Sequence, residues 1–279
     1  MHRWTFDPIV IALLIVAGGL YARGVARLWR EAGPGRGVRG WQVLAFAGGS
    51  LALVLALLSP IAAVSEFLFS VHMTQHEILM LVAAPLLVLA RPLALFVWAL
   101  PPAGRLAVGR FTRRPFVAGA WRGLTGPLTV WVLHGAALWI WHLPVLFQAA
   151  VGNPTIHAGM HVCFLFTAAL FWWALVHGRY GKLGYGMGVL YVFTTGMHST
   201  VLGALLTLAP RPWYAIYRER AAALHLDALE DQQLGGLLMW IPFGIVFVVI
   251  GLALFAAWLG EAQRRAALHD LEVRGSRSA

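Results

Sequence analysis

The chain has 279 residues, of which 60% are hydrophobic and only 11% are charged. Soluble domains carry about 25% charged residues, so the composition excludes a soluble globular protein and predicts an integral membrane protein. The formal net charge of +10 could indicate a nucleic-acid partner, but the basic residues lie between apolar stretches. We therefore expect no nucleic acid and interpret the charges as signals of orientation in the lipid bilayer.

Seven stretches are long enough to cross a membrane, because a bilayer-spanning helix needs roughly 20 mainly apolar residues. They predict an all-α fold, a polytopic bundle of seven transmembrane helices. We predict one transmembrane domain over residues 1–260 and a polar cytoplasmic tail over 261–279. The approximate ranges of the spans are 8–28, 42–63, 71–90, 128–149, 156–177, 185–208 and 235–259.

The basic residues predict the orientation of these spans. With the N-terminus outside, seventeen of the 21 lysines and arginines fall in inner segments, where such residues accumulate. We therefore predict the N-terminus outside and the C-terminus inside. Residues 91–127 form the long inner connection, whose part 93–100 either extends the third helix or lies on the membrane. Residues 209–234 form the longest outer loop, which either covers a site or docks a partner.

Two histidine pairs repeat one spacing. His72 and His76 open the third span, and His157 and His161 open the fifth. Residues i and i+4 lie on one face of a helix, so each pair points two imidazoles at the same neighbour. Both helices run inward from the outer side, which places the pairs at matching depth near the outer boundary.

Two further histidines lie in the outer half on this map. His142 ends the fourth span in the string Trp-His-Leu-Pro, and His198 lies two to three turns below the outer end of the sixth. Polar residues inside a membrane usually face the bundle interior or a water-filled cavity. Interhelical hydrogen bonds explain any one of them, but six histidines at one level favour a metal site.

The residue types restrict the choice of metal. Imidazole suits zinc, copper, iron and nickel, and thioether sulfur selects for Cu(I). Met73 follows His72 directly, which favours copper over zinc. Asp231 begins the seventh helix from the outside, where it acts either as a helix cap or as a ligand or support of the site.

The order of these motifs resembles the bacterial CtaG family of seven-helix membrane proteins, which are linked to assembly of caa-type cytochrome c oxidase. The resemblance covers nearly the whole chain and rests on motifs that are specific only together. These motifs are His72-Met73-Thr74-Gln75-His76, Trp141-His142-Leu143-Pro144, His157 with His161, Leu202-Gly203-Ala204-Leu205-Leu206, Asp231-Gln232-Gln233-Leu234 and Met239-Trp240-Ile241-Pro242.

The resemblance implies a non-enzymatic factor of the bacterial plasma membrane that acts on cytochrome c oxidase subunits and handles copper. The positions that carry over are His72, His76, His142, His157, His161 and Asp231. The residues leave two alternatives open. One is a zinc-dependent intramembrane hydrolase with three protein ligands and a water, and the other is a haem held by histidines of two helices.

Overall fold

The chain is described by a computed structural model over residues 4–177 and 185–277. Three of the basic residues counted above, Arg3, Arg179 and Lys182, lie outside the described residues. Within the described part every regular element is a helix. The helices are α1 Pro8–Ala32, α2 Gly40–Leu57, α3 Pro60–Ser65, α4 Phe69–Leu89, α5 Pro92–Ala99, α6 Pro102–Thr112, α7 Pro115–Leu124, α8 Pro127–Trp141, α9 Pro144–Gly152, α10 Pro154–His177, α11 Tyr185–Thr207, α12 Ile216–Ala222 and α13 Ala228–Arg277.

The all-α multi-pass architecture is confirmed. Among the described residues six helices are long and apolar enough to cross a membrane, namely α1, α2, α4, α10, α11 and α13. The pair α7–α8 is a seventh candidate span, although it bends by 57° at its break. Each predicted stretch therefore contains all or part of one of these candidate spans.

Proline residues make several helices shorter than predicted. The second predicted span continued to residue 63, but α2 ends at Leu57 and Pro60 begins α3. The fourth continued to residue 149, but α8 ends at Trp141 and Pro144 begins α9. Proline favours the first turn of a helix and disfavours a helical residue before it, so each proline starts a new element. In contrast, α13 continues through the segment predicted as a polar tail.

The inner connection contains a separate helix rather than an extension of α4. Arg91 has a left-handed backbone (φ 55°), which ends α4, and α5 then packs along α1. The carbonyl oxygen of Leu95 lies only 2.1 Å from where a side chain on Gly24 would begin. Only glycine permits this approach. The backbone of α5 therefore packs directly against the backbone of α1 at this point.

Two buried clusters form the core. A larger cluster joins α4, α8, α9, α10, α11, α12, α13 and the loop before α12. A smaller one joins α1, α2 and α5. Helices α11 and α13 cross so closely that Gly203 and Gly236 each approach the other's carbonyl oxygen, as small residues permit in membrane helices. The first turns of α4 lie in the larger cluster, between α10 and α13.

Candidate metal centre

The first turn of α4 is fixed by a carboxylate from another helix. Asp231 of α13 accepts hydrogen bonds from the backbone N–H of Phe69 (2.6 Å) and of Ser70 (3.2 Å). The Ser70 hydroxyl donates to the same carboxylate at 2.5 Å. Free N–H groups at a helix start normally bind a side chain of the preceding residue, but Leu68 cannot supply one. Asp231 therefore determines where the histidines of α4 lie relative to α13.

Five of the six predicted histidines form one cluster. His72 and His76 of α4 face His157 and His161 of α10, with His142 at the end of α8 beside them. Ring centroids lie 5.0 Å apart for His72 and His157, 5.3 Å for His76 and His161, and 6.4 Å for His76 and His142. The two histidine faces, which the sequence placed only at matching depth, thus meet in the structure.

A tyrosine of the outer loop determines the tautomer of His72. The Tyr217 hydroxyl donates its one proton to the carbonyl oxygen of Ser65 at 3.0 Å, and it also lies 2.9 Å from Nδ1 of His72. Since the hydroxyl has no second proton, Nδ1 of His72 is the donor in that contact. The Nε2 lone pair of His72 then points into the cluster, 3.0 Å from Nε2 of His76.

The same argument applies to His142. Its Nδ1 lies 2.7 Å from the carbonyl oxygen of Leu138. A carbonyl oxygen can only accept, so Nδ1 of His142 carries the proton and Nε2 has a free lone pair. Hydrogen bonds from one ring nitrogen commonly fix a histidine so that the other nitrogen binds a metal. Two members of the cluster are therefore held in the tautomer that a metal requires.

The cluster leaves buried nitrogens without partners. In the described part of the chain no hydrogen-bond partner is found for Nδ1 of His76 or for Nε2 of His142, His157 and His161. Buried polar atoms are nearly always paired in folded proteins, because an unpaired one costs about 1–3 kcal/mol. Several unpaired atoms in one cluster are typical of a binding site in which the ligand supplies the missing partners.

Three histidines of the cluster lie close enough together to bind one metal ion. One ring nitrogen from each of His72, His157 and His161 lies within 4.8 Å of the other two. Ligand nitrogens at a bond length of 2.0–2.1 Å lie about 3.4 Å apart around a tetrahedral ion. Modest ring rotations would close the difference, so the donor set fits a compact ion.

Aromatic side chains pack against the rings of the cluster. Phe164 lies 4.7 Å from the ring of His76 and 5.9 Å from that of His142. Phe147 lies 5.1 Å from His72, and both phenylalanines are fully buried. An apolar shell of this kind controls solvent access and lowers the local dielectric around a metal site.

The segment 209–234 covers the site, as one of the two alternatives from the sequence expected. Tyr217 holds His72, and the hydroxyl of Tyr214 donates to the carbonyl oxygen of His142 at 2.9 Å. Two glutamine side chains hold the loop backbone: Gln232 accepts from the N–H of Trp213, and Gln148 accepts from the N–H of Ile216. Burial raises the pKa of both tyrosines far above the usual range, so both hydroxyls keep their protons at physiological pH.

Three other predicted site residues lie outside the cluster. Met73 is fully buried against Gly235 of α13, on the neighbouring face of α4. Both carboxylate oxygens of Asp231 are used by the start of α4. His198 accepts a hydrogen bond from the indole N–H of Trp139 at 3.2 Å. Its ring also lies against Gly135, seven residues from His142 and so about 10 Å deeper along α8.

The sequence interpretation missed the residues that support the histidines. Tyr217, Tyr214 and the carbonyl group of Leu138 determine how the rings are held. The available signal was weak: two tyrosines three residues apart in an outer loop, Tyr214 and Tyr217, which only the fold of that loop brings to the histidines.

The fold and site together define a multi-pass helical membrane protein with a buried histidine cluster near one end of its bundle. The chain belongs to the family of cytochrome c oxidase caa3 assembly factors (Caa3_CtaG), whose pattern matches residues 19–261. The resemblance inferred from the motifs is thereby confirmed.

Curated relatives are found in mycobacteria. The chain is 28% identical to uncharacterised proteins of Mycobacterium bovis and Mycobacterium tuberculosis and 27% identical to one of Mycobacterium leprae. Each match covers 96% of this chain but only 41% of the relative, so the chain spans about two fifths of the length of these proteins. No solved structure matches the chain significantly.

Proposed function

We propose that the chain binds copper at the five-histidine cluster and passes it to subunits of a caa3-type cytochrome c oxidase in the bacterial plasma membrane. The observation that carries this proposal is the cluster itself: five histidines from α4, α8 and α10, four of which have a buried ring nitrogen without a partner. The family supplies the acceptor, since it is described as an assembly factor of that oxidase.

Orientation in the membrane supports the same proposal. The cluster lies at the start of α4 and α10, whereas the arginines of the inner connection lie at the opposite end, where Arg105 pairs with Glu31 at 3.1 Å. Positively charged ends of membrane proteins face the cytoplasm, so the cluster would face outward. A metal held there is accessible to an acceptor on the outer side.

The ligand set favours a compact ion over a haem. The rings of His76 and His161 lie only 5.3 Å apart, nearly perpendicular, and Phe164 lies against His76. A flat macrocycle between two axial histidines needs a slot that these contacts fill. Imidazoles alone accommodate both copper and zinc, and the oxidase connection of the family favours copper as the cargo.

The test is metal analysis of the purified protein. After loading with Cu(I) under reducing conditions, we expect stoichiometric copper in the wild type and almost none in a His72→Ala/His161→Ala variant. A cell that carries this variant should assemble less copper-containing oxidase at an unchanged level of the protein itself. Absence of copper from the loaded wild-type protein would contradict the proposal.

The trio of His72, His157 and His161 supports a second candidate. Three histidines around one position, with room for a water, are the ligand set of many catalytic zinc sites. A zinc-dependent hydrolase would retain tight zinc through purification and would cleave a lipid amide. Stoichiometric zinc that copper cannot displace, together with such cleavage, would favour this enzyme over the assembly factor.

A further inference from the structure

A narrow opening leads from the surface to the histidine cluster. It is a cavity of about 60 Å³, and its lining residues are Glu66, His72, Ala150, Val151, Pro154 and His157. Since one water occupies about 30 Å³ of liquid, the opening admits about two waters or one partly hydrated ion. His157 is the only half-buried histidine among the five, and its Nε2 is one of the unpartnered nitrogens. The opening therefore ends on a histidine that has a ring nitrogen without a partner.

One carboxylate marks the outer rim of this opening. Glu66 is exposed, and in the described part of the chain its carboxylate forms no ion pair. The nearby Arg220 donates at 2.6 Å to the backbone carbonyl oxygen of Glu66 and not to its side chain. The carboxylate is thus free to attract a cation, while the arginine holds the rim to the outer loop.

The opening lies beside a covered site. Tyr214 and Tyr217 contact the cluster from the segment 209–234, and Phe147 and Phe164 pack against its rings. The rest of the lining includes the small or apolar residues Ala150, Val151 and Pro154. An ion that follows this route therefore meets a carboxylate first and His157 second.

The geometry points to Glu66 and His157 as a port for metal ions, through which a soft or borderline cation enters and leaves the cluster. The inference rests on the proposed function for the cargo, but it concerns the path and rate rather than the identity of the metal. A charged rim on a narrow cleft raises the local concentration of the opposite charge and accelerates association by 10-fold to 1,000-fold. Glu66 acts before binding and is not a ligand of the bound ion.

The experiment measures how fast the detergent-purified, metal-free protein takes up Cu(I) from a weak chelator. The same measurement with Zn²⁺ separates the port from the cargo. We expect Glu66→Gln to slow uptake about tenfold at low ionic strength and to slow release to a similar extent. The loss should shrink as salt is added, because charges are screened. Occupancy at equilibrium should stay within twofold of the wild type.

Three variants make the interpretation specific. Glu219→Gln removes an exposed carboxylate of the same outer region that does not line the opening, and it should load at the wild-type rate. Val151→Trp should slow uptake at every salt concentration, because it narrows the opening without changing its charge. Arg220→Gln removes a positive charge and should not slow uptake.

The outcomes separate the port from the proposed function. Wild-type uptake by Glu66→Gln, or equal slowing by Glu219→Gln, would overturn the port. A fall in equilibrium occupancy that matches the fall in rate would also overturn it, since Glu66 would then be a ligand. If the protein took up zinc rapidly in a Glu66-dependent way but bound no copper, the port would stand and the copper proposal would be wrong. Binding of neither metal would remove both.

Discussion

Each end of α4 carries a buried polar cluster, and the two clusters differ in how far their hydrogen-bonding groups are paired. At the last residues of α4, the hydroxyl of Tyr21 lies 3.2 Å from the backbone carbonyl oxygen of Gln42 and 3.1 Å from that of Ala90, which share its one proton. The Gln42 amide donates to the carbonyl oxygen of Leu89 at 3.0 Å. The side-chain oxygen of Gln42 accepts from the backbone of Arg39. In this Tyr21–Gln42 cluster the side-chain groups are paired.

The first turns of the same helix carry the histidine cluster, in which four ring nitrogens lack partners. Both clusters are buried, and both join three segments of the chain. Burial and polarity therefore do not distinguish structural polar residues from a binding site. These two clusters differ in whether their hydrogen-bonding capacity is used, and a membrane offers unpaired groups no water.

Removing two ligands should give the largest difference between the clusters. We expect His72→Ala/His161→Ala to lower the copper affinity at least 100-fold, because the trio around His157 loses two of its three nitrogens. Gln42→Leu should leave the copper content unchanged and lower the stability by about 1–3 kcal/mol, through an unpaired carbonyl at Leu89 and an unpaired N–H at Arg39. Isothermal titration and thermal unfolding in detergent measure the two effects. Loss of copper in Gln42→Leu would contradict the comparison.

Removing a supporting hydroxyl should give a smaller change. Tyr217→Phe frees Nδ1 of His72 and the Ser65 carbonyl group, so His72 no longer has a fixed tautomer. Loss of such support typically costs 10–100-fold in metal affinity. Tyr21→Phe is the matched control, since it removes a buried hydroxyl from the other cluster. Equal copper affinities in the two variants would mean that Tyr217 serves only to hold the loop.

The cap of α4 should matter for stability more than for copper. Asp231→Asn keeps the size of the side chain but weakens the bonds to the N–H groups of Phe69 and Ser70. We expect a loss of about 1 kcal/mol, as for other helix caps, with copper stoichiometry unchanged. Thermal unfolding and metal analysis of the same sample check this. Loss of copper without loss of stability would instead indicate that Asp231 is a ligand.

The smallest effect is expected at His198. This residue contacts Trp139 and Gly135, deeper along α8 than the cluster. His198→Ala should leave the copper affinity within about twofold of the wild type, because removal of a non-ligand changes no coordination bond. Titration of this variant beside His161→Ala gives a direct contrast between two histidines of the outer half. A tenfold loss at His198 would extend the site toward α11.

Much of the architecture could be predicted from the sequence because its signals are local. Apolar stretches of sufficient length predicted the spans, since hydropathy accumulates within one helix. The i, i+4 spacing put His72 with His76 and His157 with His161, and the alternating direction of the helices put both pairs at one end. The helix breaks at Pro60 and Pro144 had a visible cause, but their effect on span length was underestimated.

The contacts that complete the site could not be predicted, because the residues that form them are remote in sequence. Asp231 caps a helix that begins 162 residues earlier, and Tyr217 contacts His72 across 145 positions. No pattern within one helix encodes such a contact. The same holds for Met73, whose face of α4 is assigned to packing only by the approach of Gly235.

The sequence by itself thus determined a helical membrane protein of the caa3 oxidase assembly-factor family, with histidines collected near one end. Only the tertiary structure decided which histidines meet, which nitrogens are free and which loop covers them. The physical reason is that periodicity fixes a side chain's direction around its own helix axis. The distance between two helices depends instead on the small residues, caps and loop contacts that bring them together.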